Sequence, residues 1–177
     1  MPYIFKWVII LNVIKKWHIY GFFFCMIFGA VLHYTYDLSG QMRFVGYISA
    51  INESVWEHLK LIFFPFLLWS ILEYFVYGRA EVDFFAVKAT AVLAAMAFVV
   101  VFFYTYTGIL GFNLLVMDIL SFAGGVLTQS VVSFRLLNAC VRGDYSDNIK
   151  GILTLMLLSA CFIVWTDTPP ALGIFMG

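Results

Sequence analysis

Charge is what this chain has least of. Ten Lys or Arg and ten Asp or Glu make up 11% of its 177 residues, against about 25% in soluble domains. That shortage excludes an ordinary water-exposed surface. The two signs cancel to a formal net charge of zero, so no nucleic-acid partner is expected, since such binding needs a basic face. Cysteine is also scarce: Cys25, Cys140 and Cys161 show no paired spacing, which leaves no redox or thiolate metal motif. A G-x-x-x-x-G-K phosphate loop and a G-x-S-x-G nucleophile elbow are both missing. Internal repeats and low-complexity linkers are not evident either.

What the chain has in excess is apolar surface. Hydrophobic residues reach 64%, and five apolar runs, at about 20 residues per span, take up nearly the whole length. The runs cover 17–36, 61–78, 84–104, 113–134 and 149–166. They are too long and too evenly apolar for barrel strands, and a lipid-exposed backbone must satisfy its own hydrogen bonds, so all five are predicted to be helices. The expected fold is therefore an all-α polytopic membrane bundle in a single domain, residues 1–177. The first fourteen residues are shorter than a span and mix Lys6, Asn12, Lys15 and Lys16 with Phe5, Trp7, Val8, Ile10 and Leu11. They read as an interfacial helix. A cleaved signal peptide is the alternative, against which stand the spanning length of the next run and the lack of a small-residue cleavage site.

Basic residues set the expected orientation. With the amino terminus inside, Lys6, Lys15, Lys16, Arg79, Lys88, Arg135, Arg142 and Lys150 fall on the cytoplasmic side, and only Arg43 and Lys60 fall outside. The carboxyl terminus is then extracytoplasmic. In the same topology Asp37, Glu53, Glu57, Asp118, Asp167, His33 and His58 converge at the outer leaflet. Ionisable groups are costly beside a membrane, so function is sought there. A cation or a proton is the natural partner of five acids and two imidazoles.

The densest part is Asn52-Glu53-Ser54-Val55-Trp56-Glu57-His58-Leu59-Lys60-Leu61. His33 and Asp37 are four apart, as are Glu53 and Glu57, so each pair shares a helix face. The structural reading of this segment has Asn52 as helix cap, Glu53 on the helix dipole and Lys60 neutralising Glu57. In the fourth run Asp118, Ser121, Gly125, Thr128, Val132 and Arg135 draw a small and polar stripe. Ser and Gly there suit close helix packing, whereas Asp118 is expected to meet His33 or Glu57. Glu73 and Arg135 read as a mutual ion pair or as snorkelling side chains. Lys88 is also expected to snorkel and His18 to anchor at the interface. Pro65 should kink the second span and free the carbonyl of Leu61.

The segment Asn52 to Leu61, with His33-Tyr34-Thr35-Tyr36-Asp37-Leu38-Ser39-Gly40 before it and Phe64-Pro65 after it, resembles a family of small bacterial integral membrane proteins of unknown function. The resemblance implies a multi-pass protein of the bacterial cytoplasmic membrane and gives weight to these residues, without naming a reaction. Three classes stay open. In the first, an intramembrane enzyme acts on a lipid or amphiphile, with Glu53, Glu57, His58, His33 and Asp118 as acid, base or metal-holding groups. There Asn52, Trp56, Asp37 and Ser121 would contact substrate, and His33, Glu57 and His58 would hold a divalent metal such as zinc. In the second, the same acidic vestibule serves a cation- or proton-coupled transporter or channel, for which five spans imply a homo-oligomer. In the third, the polar cluster only fixes helix ends in a membrane scaffold.

Overall fold

The computed structural model describes residues 2–139 and 143–176, with side chains from residue 12 onward. Cys140, Arg142 and the side chain of Lys6 lie outside the described residues. Six helices, and no strand among the described residues, build the chain: α1 (Pro2–Leu38), a four-residue α2 (Arg43–Gly46), α3 (Val55–Val76), α4 (Phe84–Leu110), α5 (Leu115–Leu137) and α6 (Tyr145–Asp167). Short 3₁₀ turns follow at Gly78–Ala80 and Gly173–Phe175. Five of the helices are long and apolar enough to cross a membrane.

Helix ends differ from the hydropathy limits for identifiable reasons. No Gly or Pro interrupts residues 3–20, so the amino-terminal stretch is not a separate interfacial element but continues α1 without a break. Helix α3 begins six residues before its apolar run, because Ser54 caps it by accepting from the Glu57 amide at 3.3 Å. The charges that end the apolar run pair with each other and stay helical. Helix α4 continues past residue 104 because Thr105 and Thr107 return their hydroxyls to Val101 and Phe103 carbonyls, and it stops at Gly111, whose φ of 79° few other residues adopt. Helix α6 starts at a reciprocal capping box between Asp144 and Asp147.

Packing places α1, α3, α4 and α5 in a ring, each against the next and α5 back against α1, with α6 laid on α4 and touching α3 through Phe162 and Thr166. Half of the apolar window of α3 and of α4 is buried, against 22% for α1 and α5 and 17% for α6. The central pair is therefore α3 and α4. Outward faces carry residues such as Tyr20, Phe23, Ile27 and Val31 on α1 and Leu153, Met156 and Leu157 on α6. Apolar surface of that extent is what a bilayer covers.

Close approaches explain several small residues. Pro65 cannot donate to Leu61, and the carbonyl so freed lies where a Cβ on Gly29 would come within 2.6 Å of it. Thus α1 seats directly on the backbone of α3 at the carbonyl that Pro65 leaves without its helical donor. At Gly151, an added Cβ would sit 2.4 Å from the Ala86 amide nitrogen, which fixes the crossing of α6 on α4. Gly125 meets Val99 and Ile62 in the same way.

Charge inside the ring is paired differently from the sequence expectation. Glu73 bonds Lys88, Nζ to Oε2 at 2.5 Å, with both residues at most 1% exposed. Arg135 stands exposed and takes no part in it. Lys88 does not snorkel, because an anion one helix away offers a partner within the bundle. His18 is likewise no interfacial anchor: it is buried beside this pair. Glu73→Leu or Lys88→Met alone strands one charge and should cost about 3–5 kcal/mol. The double variant should regain most of that loss, measured by thermal unfolding in micelles; additive losses in the double variant would contradict the pairing.

Candidate metal centre

The chain between α1 and α3 folds back over the ends of both helices. Ser49, wholly buried, places its hydroxyl in the α1 ladder, donating to the Leu32 carbonyl and accepting from the Tyr36 amide at 3.1 Å. A hydroxyl inserted between residues i and i+4 of a helix pins the loop to it at the level of His33. Lys60 holds the loop from the other side. Its buried Nζ donates to the Gly46 carbonyl at 2.9 Å, to Glu57 Oε2 at 2.6 Å and to Thr166 Oγ1 at 2.6 Å. Glu57 in turn accepts from the Ile51 amide at 3.0 Å. One ion pair therefore ties the loop, α3 and the end of α6 together.

Glu53 lies between these two anchors. Its carboxylate faces His58 Nε2 at 3.5 Å and His33 Nε2 at 4.0 Å, while the two imidazole rings stand 5.2 Å apart, centre to centre. One ligand atom from each residue falls within 4.8 Å of the others. Around a tetrahedral zinc ion with bonds of about 2.0–2.2 Å, such atoms lie about 3.4 Å apart. His58 Nε2 stands at about that spacing from Glu53 Oε2, and His33 Nε2 lies farther, from the other carboxylate oxygen, Oε1.

The protonation pattern sharpens this geometry. His58 Nδ1 lies 2.9 Å from the Ser54 carbonyl, which can only accept, so Nδ1 carries the proton. In the neutral ring Nε2 then presents a lone pair to a carboxylate oxygen 3.5 Å away. A proton on Nε2, or a metal ion between the nitrogen and the carboxylate, would satisfy both groups. The fixed Nδ1 proton is also the outer-shell bond that aims a metal-ligating histidine. His33 Nδ1 is buried and without a hydrogen-bond partner.

The other sequence candidates divide between structure and surface. Glu57, expected beside His33 and His58 as a ligand, is 3% exposed and committed to Lys60; Glu53 takes its place in the cluster. Asn52 accepts from the Ser54 amide at 2.9 Å in a turn, so Ser54 and not Asn52 caps α3. Trp56 is buried among Phe162, Trp165 and Phe175, clamping the carboxyl-terminal turn. Asp37 is exposed. Asp118 accepts the Tyr106 hydroxyl across the α4–α5 connection and stands outside the His33 group. Ser121 is buried with its hydroxyl unpartnered. Asp167 forms a two-pronged pair with Arg43, at 3.0 and 2.7 Å, and accepts from the Tyr47 hydroxyl at 3.1 Å. That carboxylate holds the exposed Arg43 guanidinium above its ordinary pKa.

A second polar layer at the opposite end of the ring was missed. It joins His18, Glu73, Lys88 and Ser133 from four helices. The signal available was the face Ser121, Gly125, Gln129 and Ser133, at intervals of four, which is the buried side of α5. The stripe drawn towards Arg135 leaves that face after Gly125.

The two glutamates should behave oppositely. Glu57→Gln, which leaves Lys60 charged and buried, is expected to cost about 3–5 kcal/mol. Glu53→Gln, at a side chain 75% exposed, should stay within about 0.5 kcal/mol. Unfolding of both variants in micelles with a chelator present, so that metal binding does not contribute, checks the assignment, and equal losses would refute it.

Neither the curated proteins nor the solved structures yield a match to this chain. A family model does match, over residues 6–177, and the chain belongs to that family of unknown function, DUF6512.

Proposed function

We propose that this protein is a membrane-embedded metal-dependent enzyme acting on a lipid or amphiphile, with His33, Glu53 and His58 holding a divalent ion such as zinc. The observation that carries the reading is the convergence of two imidazoles and a carboxylate within 4.8 Å, one of the imidazoles aimed by a backbone carbonyl. Two His and one carboxylate are a ligand set of catalytic zinc, because three protein ligands leave a position open for water or substrate. When bound, such an ion lowers the pKa of that water and polarises an ester or phosphoryl oxygen.

The chain's own groups supply the rest. Ser49 and Lys60 hold the loop rigid on either side of Glu53, so the ligands are positioned before anything binds. His33 lies five residues from the end of α1 and His58 in the first turn of α3. At 1.5 Å per residue that depth is about 8 Å or less, the level at which an amphiphile's head group meets its chains. Exposed Tyr34 and Val31 flank His33 on α1, offering an apolar surface for those chains. The excess of basic residues at the opposite end supports a bacterial cytoplasmic membrane protein with its amino terminus inside and this site facing outward.

Elemental analysis of purified protein is the first test. One equivalent of zinc is expected, lost in His58→Ala and in Glu53→Gln. Occupancy should fall on acidification, since protons compete for the two imidazole nitrogens. Hydrolysis of lipid esters in mixed micelles should follow the metal, vanishing with a chelator and returning with zinc. A metal-free protein that remains active would sink the reading.

A further inference from the structure

The second polar layer lies at the end of the ring away from the metal cluster. Glu73 is 1% exposed, Lys88 and Ser133 are wholly buried, and His18 is 7% exposed. Glu73 and Lys88 already neutralise each other, so a third titratable group is not needed to balance charge. It is nevertheless wired in. His18 Nδ1 lies 2.9 Å from the Ile14 carbonyl and must carry a proton, which leaves Nε2 as the acceptor. Nε2 is 3.0 Å from Ser133 Oγ, and that oxygen accepts from Lys88 Nζ at 2.8 Å. The hydroxyl proton therefore points to His18. Meanwhile Glu73 turns Oε2 to Lys88 and Oε1 towards His18 Nδ1 at 3.7 Å. A single carboxylate thus stands between two bases that a serine hydroxyl connects.

Beside this chain is a cavity of about 10 Å³, the space of a single water site. His18, Glu73 and Lys88 line it, with Gln129 and Trp69. Gln129 is 1% exposed, yet both its amide atoms are without partners, as is Trp69 Nε1. Unmet polar atoms in an apolar interior are costly, and a water there would satisfy both donor and acceptor. Gly21 makes the indole's position possible, since a Cβ would fall 2.3 Å from Trp69 Nε1. The remaining titratable neighbours are Cys25 on α1, which also lines the cavity, and Tyr77 just after α3. Burial and the Glu73 charge push the Tyr77 phenol far above its usual pKa, so it stays neutral.

We propose that this layer is a proton-transfer site, in which Ser133 relays a proton between Lys88 and His18 and a water held by Gln129 and Trp69 exchanges it. In the transfer, the Ser133 O–H bond breaks as a proton forms an N–H bond on His18 Nε2. A Lys88 N–H bond breaks as its proton replaces the one on Ser133 Oγ. Lys88 becomes a neutral amine, His18 an imidazolium, and Glu73 stays ionised with a cation beside it throughout. Net charge does not change, which keeps the step feasible in low dielectric.

The test uses the full chain in lipid vesicles, with a potassium gradient and valinomycin setting the potential and a pH dye inside. Proton entry above that of protein-free vesicles is expected. Ser133→Ala and Gln129→Leu should each reduce it by roughly a hundredfold, the low end of what a positioned proton-transfer group contributes. Ser133→Thr, which keeps the hydroxyl, should restore it. Zinc binding at His33, Glu53 and His58 should be unchanged in all three, so failure of one reading is separable from failure of the other. Should a variant not fold, nitrogen-15 histidine spectra of the unaltered protein decide. His18 should show a protonated Nδ1 and bare Nε2 in mildly alkaline buffer, and gain the second proton on acidification while the fold persists. Flux equal to protein-free vesicles, flux indifferent to both substitutions, or a His18 that never takes the second proton overturns the proposal.

Discussion

The pairing of Glu73 with Lys88 is the constraint on which the arrangement of the bundle rests. Neither charge can be left alone in an apolar interior, so the faces of α3 and α4 that carry them must meet. Once they do, Lys88 has a donor left for Ser133 on α5, and Ser133 reaches His18 on α1. The ring of four helices is closed by polar contacts of definite direction. Lipid gives apolar helix faces little reason to prefer one partner over another, so these few bonds, with the glycine contacts, select the register.

The opposite end of the ring uses the same physics for another purpose. Lys60 and Glu57 are buried together and spend their remaining capacity on the loop and on α6. Because that pair absorbs the structural demand, Glu53 and His58 are left with unpaired capacity at the surface. The two glutamates, expected on one helix face, part company: Glu57 stands in the first turn of α3 and stabilises the frame, whereas Glu53 precedes the Ser54 cap, outside the helix, and faces two imidazoles. Burial decides which is which, and spacing alone cannot.

Legibility followed the range of the interactions. The five helices long and apolar enough to cross a membrane were readable because each satisfies its own backbone and needs only an apolar run of sufficient length. The Lys60–Glu57 pair was readable because it is local, three residues apart on one helix. Pro65 and the freed Leu61 carbonyl were readable for the same reason, although not that Gly29 would occupy the space. The ends of α1 and α3 were not, because hydropathy marks where lipid contact stops and not where helical hydrogen bonding stops.

What the sequence determined by itself was the number of long apolar helices and the concentration of ionisable groups around residues 52–61. Tertiary structure alone decided the partners: Glu53 rather than Glu57 with His33 and His58, Lys88 rather than Arg135 with Glu73, and Gln129 and Ser133 as the inward face of α5. The physical reason is that a helix repeats its own geometry from local bonds. Which charge is buried against which depends on the packing of chain segments that are distant in sequence, and there the energy of a stranded charge makes the choice.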